Sequence, residues 1–151
     1  IPPVSAAVAR TFDPPPGDGE ENNDLVVNAT DGDLTSAWKT VCYDDRYLGS
    51  KTNGVGLVLD LGAAHTGTFT FNVGSAPYQV KVFGAPDGTE PATYDGWGSA
   101  VKKFSGGDPA TESVTFSTPV RYVLVSFNEL APDASCTGNR YRGAIQEVSF
   151  S

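Results

Sequence analysis

The apolar residues of this chain come in short bursts between turn formers, and none of the bursts sustains the i, i+3, i+4, i+7 recurrence of an amphipathic helix. Strands are what such a pattern can build. The candidates are Val55 to Leu61, Thr68 to Val73, Tyr78 to Phe83, Ser99 to Phe104, Glu112 to Phe116, Arg121 to Phe127 and Gly143 to Phe150. Tyr78, Val80 and Val82 alternate with Gln79 and Lys81, and Phe69, Phe71 and Val73 alternate likewise, so both stretches predict one buried and one solvated face. GLVLDLG and RYVLVSF are nearly continuous apolar runs, as expected of strands covered on both sides. Separated by loops such as GAPDGTEP and SGGDPA, these strands predict an all-β sandwich or barrel with negligible helix.

At 151 residues the chain is long enough for one domain that hides roughly 68 to 70% of its unfolded surface, so a core is attainable without a disulfide framework or a structural metal. The 17 Gly and 11 Pro would suit disorder, but the aromatic and β-branched residues between them argue for turn-rich structure instead. Residues 1–24 carry Pro2, Pro3, Pro14, Pro15, Pro16 and the acidic string GDGEENND, and predict an extended linker, leaving 25–151 as the domain. No run approaches the ~20 apolar residues of a membrane span, and IPPVSAAVAR has neither a basic nor an apolar signal region. Starting at Ile and lacking Met, the chain reads as a piece of something longer.

With 18 acidic against 10 basic residues, the net charge of -8 repels phosphate backbones and anionic lipid heads, so no nucleic-acid partner is expected. Nothing assembles a catalytic constellation either. Gly-x-Ser-x-Gly, His-Glu-x-x-His and Gly-x-x-x-x-Gly-Lys-Ser/Thr do not occur. The single histidine, His65, sits in GAAHTG, which reads as a solvated turn between strands, and Asp44 with Asp45 could in principle serve glycoside hydrolysis, but that chemistry depends on a carboxyl separation that sequence does not supply. A non-catalytic domain is expected. Cys42 and Cys136 belong to no Cys-x-x-Cys pair and both have loop-like flanks, so a disulfide in an oxidising compartment is preferred over two buried thiols. Asn28-Ala29-Thr30 matches a glycosylation sequon.

The stretch NATDGDLTSAWKT, then GVGLVLDLG, YQVKVFGAPDG with Trp97 beyond it, and the closing RYVLVSF and YRGAIQEVSF resemble the galactose-binding-like or discoidin superfamily from about residue 11 to 151. That resemblance implies a jelly-roll β-sandwich of about eight antiparallel strands, monomeric as an isolated domain. The opening RTFDPPPGDGEENND joined to these motifs resembles, more narrowly, the C-terminal extracytoplasmic domain of actinobacterial MviN/MurJ-like lipid II flippases that carry a pseudokinase segment. This implies an upstream membrane span, a location on the cell-wall side, and a cell-wall glycan or peptidoglycan precursor as partner. The alternatives are a carbohydrate-binding module of a secreted glycosidase and a discoidin-type protein-interaction domain.

The superfamily pattern further implies a structural cation, Ca2+, held by Asn28 through its carbonyl, Asp31, Asp33, Ser36, the Gln146 carbonyl and the Glu147 carboxylate. Asp-Gly-Asp is equally natural as a metal-free Asx turn. Trp38 is expected to plug the core beside that turn, whereas Trp97 in DGWG could stand proud or cover the sandwich edge. If Cys42 and Cys136 are joined, Tyr43, Arg46 and Tyr47 come beside Asn139, Arg140, Tyr141 and Arg142, a set of aromatic faces and planar donors suited to a sugar or a peptide carboxylate. The other reading is that Arg140 and Arg142 pair with Asp44 and Asp45 and steady the loops.

Overall fold

A computed structural model describes residues 7–14, 17, 19–48, 54–138 and 140–151. Two long strands organise them. β3 (Val55–Val73) and β6 (Ala110–Glu129) pair antiparallel along most of their length, and the register breaks between Asp60 and Gly67. On one side of the break, β3 takes β1 (Val8–Phe12) as its second neighbour; on the other side it takes β9 (Ala144–Phe150). β4 (Tyr78–Ala85) pairs with the 122–129 half of β6 and with β5 (Lys102–Gly106), and the two-residue β2 (Trp38–Lys39) pairs with β9. Each half of the β3–β6 ribbon therefore belongs to a different layer. One layer holds β1, β4 and β5 beside the ribbon, and the other holds β9 and β2.

The layers close on one apolar core. Leu57, Leu59, Val80, Val82, Val123 and Val125 from the first pack with Phe69, Phe71, Ile145, Val148 and Phe150 from the second. Phe71 meets the Phe104 ring edge-on at 5.4 Å across the gap. On the outer face of the first layer Val58, Phe83, Tyr122 and Leu124 form a second cluster with Phe12 and Trp97. GLVLDLG and RYVLVSF are thus covered on both sides, as their composition predicts. Trp97, in a short 3-10 helix (Asp95–Trp97), covers the sheet and stands edge-on to Phe12, with ring centroids 6.1 Å apart.

Several sequence expectations need correction. GAAHTG is not a hairpin turn: Gly62, at φ 80°, lets β3 bend without ending, and its N–H donates to Asp60 Oδ1 at 2.9 Å. His65 lies within that bend, opposite Val120. The stretches 55–61 and 68–73 are one strand, and so are 112–116 and 121–127. The linker expected over residues 1–24 already contains β1, which pairs with β3 from Val8↔Asp60 to Phe12↔Gly56 and buries Phe12. A 3-10 helix (Asn23–Ala29) follows it. β7 (Ala131–Pro132) and β8 (Tyr141–Arg142) form a separate small hairpin. Among the described residues no helix is long and apolar enough to cross a membrane.

Candidate functional site

The site grows from Trp38. Its side chain is fully buried in the main core, and its indole N–H donates to the Glu21 carbonyl at 2.8 Å. Beyond β2 the chain stays against the segment after β8: Thr40 N–H donates to the Gly143 carbonyl at 3.0 Å, and Gly143 N–H donates to Thr40 Oγ1 at 3.1 Å. Only glycine fits at 143, since a Cβ there would lie 2.8 Å from the Phe127 ring. Tyr43 then bridges Tyr141, each N–H donating to the other's carbonyl, at 2.7 and 2.8 Å. Between these pairings Cys42 is joined to Cys136 across 94 residues of sequence. The expected disulfide therefore exists and ties loop 40–48 to the loop between β7 and β8.

The side chains brought together take different parts. Tyr43 turns inward, its hydroxyl donating to both oxygens of the buried Glu21 carboxylate at 3.0 and 2.9 Å. Arg142 is spent on the fold, with Nε and Nη2 on the Thr40 carbonyl at 3.1 and 3.0 Å. Arg140 donates from Nη2 to the Cys42 carbonyl at 2.6 Å, and its Nε lies 2.8 Å from Asp44 Oδ1. The pairing of Arg140 with Asp44 was one of the sequence alternatives; Arg142 pairs with backbone instead of Asp45. Asp45 caps its own turn by accepting from Tyr47 N–H at 2.9 Å. Arg46 lies over the Tyr141 ring, 5.3 Å from its centroid, with Glu129 3.8 Å away. The Tyr47 side chain is 57% exposed. A cleft of about 390 Å³ opens beside this group, lined by Pro132, Asp133, Ala134, Arg140 and Tyr141. Asn139 lies outside the described residues. The positive charge of Arg46, Arg140 and Arg142 is offset by Asp44, Glu129 and Asp133, the last held below the usual carboxylate range by the Ser135 hydroxyl.

The acidic turn sits elsewhere, against β9. Asp31 Oδ2 accepts from the Ser36 hydroxyl at 2.6 Å and Oδ1 from Asp33 N–H at 2.9 Å, while Glu147 Oε1 accepts from Gly32 N–H at 2.6 Å. Asp33 turns to Thr35, accepting from its hydroxyl at 2.6 Å and its N–H at 2.8 Å. Asn28 and Gln146 use their side-chain amides as latches, donating to the carbonyls of Ala37 and Leu34 at 3.0 and 2.8 Å. The Ser36 hydroxyl holds the Asp31 carboxyl below its ordinary range. Partial burial, and then the adjacent Asp31, push the Glu147 carboxyl up. Among the described residues no three or more of His, Cys, Asp and Glu group so as to hold a metal ion. The donors at this turn are all oxygen, the type that a hard cation takes, and any such ion would draw on carbonyls and the Ser36 hydroxyl besides the carboxylates.

Solved structures align with this sandwich over nearly its whole length. The chain shares its fold with family 32 carbohydrate-binding modules. One is the family 32 module of NanJ from C. perfringens in complex with galactose, at TM-score 0.61 and 16% identity, covering 98% of this chain and 95% of that one. A chitosan-binding module of a chitosanase/glucanase from Paenibacillus sp. IK-5 superposes at TM-score 0.63 with 17% identity, covering 100% and 99%. The family 32 module of AlyQ, in complex with 4,5-unsaturated mannuronic acid, does so at TM-score 0.57 with 21% identity, covering 97% and 94%. No protein-family model matches the sequence, and no curated protein does. These likenesses bear out the jelly-roll sandwich that the sequence motifs imply.

Proposed function

We propose that this chain is a non-catalytic carbohydrate-binding module of an extracytoplasmic protein, and that the disulfide-tied rim of loop 40–48 and the β7–β8 loop is its sugar site. One observation carries the reading: Tyr141, covered by Arg46, and Arg140 line one cleft, and the exposed Tyr47 follows Arg46 in the chain. Aromatic faces with planar donors suit the apolar ring faces and hydroxyl edges of a sugar. Modules of similar fold include ones in complex with galactose and with an unsaturated mannuronic acid and a chitosan-binding one, which supports a sugar as the ligand class. The disulfide supports an oxidising compartment. A shallow cleft leaves much of a ligand solvated, so affinity should be high micromolar or weaker.

The leader RTFDPPPGDGEENND supports a second placement of the same module, as the cell-wall-facing accessory domain of a MviN/MurJ-like flippase system with an upstream membrane span. Its ligand would then be a cell-wall glycan or peptidoglycan precursor. Calorimetry with galactose, a chitosan oligomer, an oligomannuronate and a muropeptide tests both. Saturable binding of any sugar supports the module reading, and a preference for muropeptide supports the flippase placement. Binding of none overturns the sugar site. At the other site, we propose that the Asp31 turn, with Ser36 and Glu147, takes a hard divalent cation such as Ca2+, which would relieve the crowding of the Asp31 and Glu147 carboxylates.

A further inference from the structure

Glu21 belongs to the stretch that composition assigns to a linker, yet its side chain is fully buried. Its carboxylate accepts Val41 N–H at 3.0 Å and the Tyr43 hydroxyl, while its own carbonyl takes the Trp38 indole N–H. Asn22 follows in the left-handed conformation, at φ 56°, which asparagine tolerates better than most residues. Its amide donates to the carbonyls of Lys39 and Thr40, both at 3.0 Å. Two consecutive residues thus grip the chain from Trp38 to Tyr43. Burying a carboxylate carries a desolvation cost that an apolar residue would not. What the carboxylate adds is direction, because it fixes where the Val41 amide and the Tyr43 hydroxyl point. That orientation passes outward: Tyr43 is bridged to Tyr141, Tyr141 carries Arg46, and Tyr141 with Arg140 lines the cleft.

We propose that Glu21 is a positioning residue for the binding rim, acting through Val41 and Tyr43 to hold loop 40–48 where Tyr141, Arg46 and Tyr47 meet a sugar together. The inference rests on the carbohydrate-binding reading. Its test compares wild type, Glu21→Gln, Tyr43→Phe and the double variant, measuring melting temperature, calorimetric affinity for galactose, a chitosan oligomer and an oligomannuronate, and the amide NMR shifts of Arg46, Tyr47 and Tyr141. Each single variant should stay folded, shift the rim amides and weaken binding at least fivefold. The double should bind no more weakly than the weaker single, because both changes act on the same Glu21–Tyr43 pairing, one by removing the charge and the Oε2 acceptor and the other by removing the hydroxyl. Affinity within twofold of wild type in Glu21→Gln, or losses that multiply in the double, would overturn the proposal. If Glu21→Gln does not fold, Tyr43→Phe decides, and unchanged affinity there overturns it. Should the wild type bind none of the three sugars, the carbohydrate reading falls and this proposal with it; binding that ignores Glu21 sinks the proposal alone.

Discussion

Tyr43 and Tyr141 face each other across an isolated antiparallel bridge, exchanging backbone hydrogen bonds of 2.7 and 2.8 Å one residue from the disulfide at Cys42. The covalent link and the bridge restrain the same pair of loops. Each makes the other's closure less costly in chain entropy, since the ends are already held together.

Removing the covalent link should therefore be felt well beyond the cysteines. Cys42→Ser with Cys136→Ser should lower the unfolding free energy by at most about 4 to 5 kcal/mol, the loop-closure value for a crosslink of this span. Urea unfolding measures it. The unfolded, unreduced wild type should show no titratable thiol from either cysteine.

Arg140 and Tyr47 should separate stability from binding. Arg140→Ala leaves the Cys42 carbonyl without a charged donor and should cost about 1.5 kcal/mol in denaturant unfolding. Tyr47→Ala, at an exposed position, should change stability by under ~0.5 kcal/mol while weakening sugar binding in calorimetry. Equal affinity for wild type and Tyr47→Ala would place the sugar elsewhere.

The acid limb of stability should depend on Arg121. Its guanidinium holds the Asp60 carboxyl below the ordinary value of 3.8 through bonds of 3.0 and 3.4 Å, and does the same to Asp87 at 2.9 Å. A carboxyl with a lowered folded value stabilises fully above its unfolded value, and that contribution is lost as the pH falls through the folded one. Wild type should therefore lose stability more steeply than Arg121→Ala as the pH drops below about 4. Parallel slopes in urea unfolding at a series of acid pH values would show that the network contributes nothing.

Calcium should raise the melting temperature of the wild type by mass action and leave Asp31→Ala unmoved, because the variant lacks the carboxylate that faces Ser36 and Glu147. Thermal scans after chelation and after refilling provide the comparison. An unchanged wild-type melting temperature would favour the metal-free Asx turn.

The strands were legible wherever period and burial agreed. Tyr78, Val80 and Val82 point inward as their alternation predicts, and Leu57, Val58 and Leu59 are covered on both faces as a continuous run should be. The bend at Gly62 was not legible, because its glycine-rich polar composition is that of a turn. What carries the strand through the bend is the Gly62 N–H bond to Asp60 and the resumption of pairing with β6 at His65, opposite Val120. In the leader, the prolines and the lack of strict alternation in VARTF hid a strand whose Ala9 packs on the main core and whose Phe12 is buried in the outer cluster. No composition rule anticipates a buried Glu21. At the rim, two cysteines allowed one pairing, so the meeting of the loops could be read. The work of each arginine could not, since it depends on register: Thr40 beside Gly143 presents a carbonyl to Arg142, and Tyr43 beside Tyr141 sets Cys42 against Arg140.

The bent β3–β6 ribbon also governs how the domain comes apart. Both layers share the same two strands. Melting either half strips the remaining half of its continuous backbone and of the face it packs against. Unfolding is accordingly a single cooperative event, and its reverse is slow. The ribbon joins segments from about a quarter to about half of the chain apart, from Val73↔Ala110 to Val55↔Phe127, which puts refolding on the millisecond-to-second scale typical of topologies dominated by distant contacts.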